Sequence, residues 1–89
     1  MPTPFRAVAP AQAERLTLLA EECSEISQAI CKYLRHGDAA MLAHLEREVG
    51  DVMSALRLMY RAGDIRKDVV RRHRKAKAKA RRPYLHHQE

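Results

Sequence analysis

Eighty-nine residues, 46% of them hydrophobic and 31% charged, with a formal net charge of +6, make one small domain. A chain of this size buries only about 60–65% of its unfolded surface, so a helical hairpin standing alone is marginal. No run reaches the roughly 18 apolar residues that cross a membrane, no basic-then-apolar signal pattern opens the chain, and Cys23 and Cys31 form neither a zinc motif nor a disulfide framework.

Residues 1–9 hold Pro2 and Pro4 without periodicity and read as a flexible arm. A first helix is expected from Pro10, a residue suited to the first helical position, to about Arg35. Gly37 then supplies a left-handed stop and Asp38 a cap for a second helix, about Ala39 to Arg61. Gly63 and Asp64 repeat that stop-and-cap signal before a third helix, about Ile65 to Ala80, which Pro83 ends. A tail, residues 83–89, follows. No segment reads as a strand, so the fold class is all-α: a hairpin of two antiparallel helices plus a third helix.

The first two helices repeat one pattern. A shift of 26 positions lays Leu16 on Leu42, Leu19 on Leu45, Glu22 on Glu48, Cys23 on Val49, Glu25 on Asp51, Ile26 on Val52, Ala29 on Ala55 and Ile30 on Leu56. Each segment thus has an apolar stripe with helical spacing and two acids one turn apart on its flank. Met53, Leu56 and Met59 read as bundle core, Tyr33 and Tyr60 as core with a base-stacking surface as the alternative, and both cysteines as reduced packing thiols.

Facing each other, the stripes bring Glu22, Glu25, Glu48 and Asp51 together near mid-helix. Four carboxylates beside a core repel one another and lose hydration unless something cationic sits among them. A hard divalent cation with oxygen ligands is the simplest answer, and Mg²⁺ shares its shell with substrate phosphates. The bland alternative is a pair of solvated acidic faces. Glu21 lies further from the stripe, facing solvent or orienting water. Lys32, two turns beyond Glu25 on the same flank, is a phosphate contact or an ordinary snorkelling lysine.

The third helix differs. Residues 1–65 carry 7 basic and 9 acidic side chains, whereas residues 66–89 carry 10 basic and 2 acidic. Ile65, Val69 and Val70 give it a short apolar face, His73 at its edge reads as a helix-surface residue, and its second half is almost wholly Ala, Lys and Arg. Such a segment attracts polyanions: nucleotide phosphates, nucleic acid or an acidic surface.

The run Glu21-Glu22-Cys23-Ser24-Glu25, followed after a gap by Glu48-Val49-Gly50-Asp51, resembles the EExxE…ExxD signature of MazG-like all-α nucleoside triphosphate pyrophosphohydrolases. The likeness covers residues 14 to about 60. It implies Mg²⁺-dependent cleavage of a (d)NTP or related nucleotide to the monophosphate and pyrophosphate, with Mn²⁺ as a substitute ion. By position it makes Glu22, Glu25, Glu48 and Asp51 metal ligands and gives Glu21 and Glu22 catalytic roles. Many relatives carry a lysine, an asparagine, a basic residue and a tyrosine after the last core helix. Lys75, Lys79, Arg82 and Tyr84 are similar in character, the first three as phosphate contacts and Tyr84 as a nucleoside contact. The chain has no asparagine, and lysine cannot reproduce an amide's paired donor and acceptor. In length the chain is similar to stand-alone bacterial or phage versions, which implies a cytoplasmic protein.

Two expectations complete the reading. A hairpin leaves apolar edge exposed, which predicts a homodimeric four-helix bundle or a homotetramer. The competing function is a small helical nucleic-acid-binding or regulatory protein that uses the basic third helix, with salt-sensitive, sequence-independent binding.

Overall fold

The computed structural model describes residues 8–88, so residues 1–7, most of the expected N-terminal arm, lie outside the described residues. Three helices follow one another: α1 Pro10–His36, α2 Ala39–Ala62 and α3 Lys67–Ala80, with a 3-10 turn at Arg82–Tyr84. Among the described residues there is no strand, and no helix is long and apolar enough to cross a membrane.

The turn between α1 and α2 is built as its sequence dictates. Gly37 takes φ 63, in the left-handed region where a side chain is strained, and its N–H donates to the Tyr33 carbonyl. Asp38 stays extended and its carboxylate accepts the Met41 N–H at 2.8 Å, capping α2. Two residues therefore reverse the chain, and α1 and α2 pack along their length as an antiparallel pair.

The second turn departs from expectation. Gly63 ends α2 at φ 79, but Asp64 does not cap α3. Its side chain, only 4% exposed, is held by the Arg15 guanidinium, with Nε donating at 2.5 Å and Nη2 at 2.9 Å. A fork-to-fork pair with guanidinium is stronger than an N-cap contact, so the carboxylate goes to α1. Arg66 stands at the N-cap position without a side-chain bond, and α3 begins at Lys67 rather than Ile65. The pair ties the start of α1 to the end of α2. Arg15 holds the Asp64 carboxyl below the usual carboxylate range.

The core is narrow. Ala29, Ala55 and Met59 are the buried apolar side chains among the described residues. Ala29 and Ala55 are equivalent in the 26-residue repeat, and each lies one turn beyond an acid. Leu19, Ile26, Leu45, Val52, Leu56, Tyr33 and Tyr60 are half-buried. Met53, expected in the core, is 65% exposed, and Ile30, Leu42 and Val49 are also open. Cys23 and Cys31, expected to pack, are exposed free thiols. The reason is geometric: each apolar stripe is wider than the single contact line between two helices, so its edges stay uncovered.

Helix α3 adds little cover. Val69 and Val70 are half-buried and every later residue of the helix, His73 included, is exposed. The radius of gyration is 16.8 Å, against about 12 Å for a compact domain of this length. The accessible surface is 7798 Å², against roughly 5,300 Å² for a compact monomer of this mass.

Candidate metal centre

The acids converge because the hairpin is antiparallel. Glu22 and Glu25 sit one turn apart on α1, Glu48 and Asp51 one turn apart on α2, and the two turns meet at one level. Each of the four residues offers a carboxylate oxygen, and these oxygens all lie within 4.8 Å of one another. Glu48 is buried at 9% exposure and Glu22 is half-buried, whereas Glu25 and Asp51 are open to solvent.

Two oxygens in the cluster are unpaired. Glu22 Oε2 and Glu48 Oε2 are buried and have no hydrogen-bond partner among the described residues. A buried carboxylate oxygen left in this state costs desolvation energy. Burial, followed by repulsion from Glu25, Asp51, Glu48 and Glu21, pushes the Glu22 carboxyl up. Glu25 is pushed up mainly by Glu48, through a shared hydrogen bond and charge repulsion, with burial and Asp51 adding to it. These are the responses of a site that needs positive charge. The donor set of four carboxylates with orphaned oxygens fits a hard divalent ion.

One neighbour was not singled out in the sequence. His44, one turn before Glu48 on the same face of α2, places Nδ1 4.0 Å from Glu48 Oε1. The signal was its i, i+4 spacing from Glu48. Ser54 is a second such residue. With Leu18, Glu22, Asp51 and Ala55 it lines a cavity of about 240 Å³ beside the acids.

The other sequence candidates stand elsewhere. Glu21 is exposed next to Glu22, and Lys32 is exposed on α1. Lys75 and Lys79 are exposed on α3, Arg82 opens the 3-10 turn, and Tyr84 in that turn is 79% exposed. None of these six lines the cavity beside the acids. Within one chain, the acids form a cluster and the basic candidates do not join it.

The model of the MazG nucleotide pyrophosphohydrolase domain matches residues 11–86, which takes in all three helices and all four acids. No curated protein matches the chain, and no solved structure does.

Proposed function

The chain belongs to the MazG nucleotide pyrophosphohydrolase family, and on that premise we propose that it is a Mg²⁺-dependent enzyme that cleaves a (d)NTP or related nucleotide between its α and β phosphates. The observation that carries this reading is the convergence of four carboxylate oxygens within 4.8 Å. Two acids of that set each have a buried oxygen with no partner among the described residues.

Glu22, Glu25, Glu48 and Asp51 would hold the metal, with Mn²⁺ able to replace Mg²⁺. Bound there, the ion supplies neutralisation of phosphate charge and Lewis acidity at the scissile phosphate. The chain's own groups do the rest. His44 Nδ1 stands 4.0 Å from Glu48 Oε1, on the α2 side of the acids. Glu21, exposed beside Glu22, positions the attacking water and accepts its proton, with Glu22 sharing that role. Water then adds to the α phosphorus, the bond to the bridging oxygen breaks, and pyrophosphate leaves with that oxygen.

The 240 Å³ cavity beside the acids is smaller than the roughly 300–1,000 Å³ of complete small-molecule sites. It takes the reacting phosphates and not a whole nucleotide. The remaining contacts, Lys32, Lys75, Lys79 and Arg82 on phosphates and Tyr84 on the nucleoside, would come from a partner subunit. The exposed Leu18, Ile30, Leu34 and Leu58 support that assembly. Buried between two hairpins, they would complete the core of a homodimeric four-helix bundle, or of a tetramer built from two such dimers. Such a protein would work in the cytoplasm, where nucleotides and Mg²⁺ are both present.

The test is a panel of ribo- and deoxyribonucleoside triphosphates assayed for pyrophosphate release with Mg²⁺ and with EDTA. Release of pyrophosphate and monophosphate from at least one member, abolished by EDTA, is expected. Release of orthophosphate instead, or metal-independent release, would overturn the proposal.

A further inference from the structure

Two cavities join into a trough along α2 and the start of α3. The larger, about 840 Å³, is lined in part by Met53, Leu56, Arg57, Tyr60, Arg61 and Lys67. The smaller, about 240 Å³, is lined by Tyr60, Lys67, Val70, Arg71 and Arg74. They share Tyr60 and Lys67, and among the described residues no acid lines either one. The trough therefore has a floor of apolar and aromatic side chains and five cations, Arg57, Arg61, Lys67, Arg71 and Arg74, on its walls. Among the described residues none of the five is in an ion pair. The larger cavity borders the one beside the acids at Ser54, and the smaller shares no residue with it.

We propose that this trough binds single-stranded nucleic acid, with phosphates on the cations and a base against Tyr60. The chemistry selects this ligand over its rivals. The α2 wall runs about 16 Å from Gly50 to Arg61, and the α3 wall about 10 Å from Lys67 to Arg74. One nucleotide does not reach that far, whereas a strand with a phosphate at each residue does. Single-strand sites combine a cationic groove with an aromatic surface for unstacked bases. A duplex keeps its bases stacked and offers nothing to an apolar floor. An acidic membrane calls for Trp, Phe or Leu on the apolar face of the basic helix, and α3 has only valines and alanines there. A second copy docked trough to trough would set five cations against five.

The proposal does not depend on the hydrolytic reading, since none of the five cations is assigned to that site. The experiment is fluorescence anisotropy of the full chain with a labelled 20-nucleotide oligo(dT), titrated at several salt concentrations. A 20-base-pair duplex, a free nucleoside triphosphate and phosphatidylserine vesicles serve as parallel ligands. Five phosphate contacts predict a slope of log K on log salt of about −3.5, at roughly −0.7 per contact on single strands. Arg71→Gln/Arg74→Gln should reduce the slope by about 1.4 and leave pyrophosphate release unchanged. Both side chains are exposed, and glutamine removes like-charge repulsion while keeping helix propensity. Tyr60→Leu should weaken oligo(dT) about tenfold. Tighter binding of duplex or vesicle than of oligo(dT), or an unchanged slope in the double variant, would overturn the proposal. So would a wild-type dimer that Arg57→Gln/Arg61→Gln dissociates, which would make the trough a subunit interface.

Discussion

Glu48→Gln separates a metal site from a solvated acidic patch, because the two predict opposite changes. The four carboxylate oxygens lie within 4.8 Å of one another, and Glu48 takes part in three of their six pairs. Two unit charges at that distance repel by about 0.9 kcal/mol in bulk water, so neutralising Glu48 relieves roughly 2.5 kcal/mol. Ionic screening and partial protonation of its neighbours reduce the gain to about 1–2 kcal/mol. In a domain of this length each kcal/mol moves the melting temperature by about 4–8 °C. In EDTA the variant should therefore melt about 5–15 °C above the wild type. With Mg²⁺ the order should close or reverse. At ten times its Kd the ion stabilises the wild type by about 1.4 kcal/mol and the variant not at all. Differential scanning calorimetry with and without 10-fold-Kd Mg²⁺ reads both effects. A variant less stable than wild type in EDTA, or one with an undiminished Mg²⁺ increment, would refute the argument that these acids are held together for a cation.

Further outcomes follow from the same structure. Glu22 and Glu25 have raised carboxyl pKa values, so the folded apo-protein binds more protons than the unfolded chain. Its stability should rise as pH falls from neutrality toward their ordinary value of 4.5, and excess Mg²⁺ should abolish the rise in melts across that range. Asp64 acts in the opposite sense. Its depressed pKa gives stability above its ordinary value of 3.8 that is lost as pH falls through the folded pKa. Asp64→Asn should remove that acid limb and lower the neutral-pH melting temperature. An unchanged acid limb would show that the pair with Arg15 is idle. Among the described residues a Cβ at Gly50 would meet nothing within 4 Å, so Gly50→Ala should stabilise α2 by about 0.5–1 kcal/mol in denaturant titrations; a loss would mean that a second chain packs there. Sedimentation equilibrium at micromolar concentration should give a dimer or tetramer, and a cooperatively melting monomer would contradict the assembly drawn from the exposed apolar edges.

Much of the helical layout was legible because local rules decided it. Gly37 and Asp38 sit at the first turn with the conformations their residue types favour, and the repeat of acids on matched stripes places them at one level of an antiparallel pair. Periodicity could not tell how Asp64 would be used. A cap and a long-range ion pair call for the same residue, and Arg15 is 49 positions away. Periodicity also overstated the core: Met53, Cys23 and Ile30 lie within the helical stripe, yet a single partner helix covers only its centre. The basic candidates were read from charge and family pattern. Where they act depends on a second chain, which no pattern within one helix encodes.

The most direct test of the central claim is Mn²⁺ binding followed by electron paramagnetic resonance, with Mg²⁺ as competitor. The wild type should bind Mn²⁺, release it to excess Mg²⁺, and hydrolyse nucleotide in proportion to occupancy. Glu22→Gln, Glu25→Gln, Glu48→Gln and Asp51→Asn should each lose most of the bound signal and most of the turnover together. Bound Mn²⁺ and wild-type turnover persisting in all four variants would contradict the account.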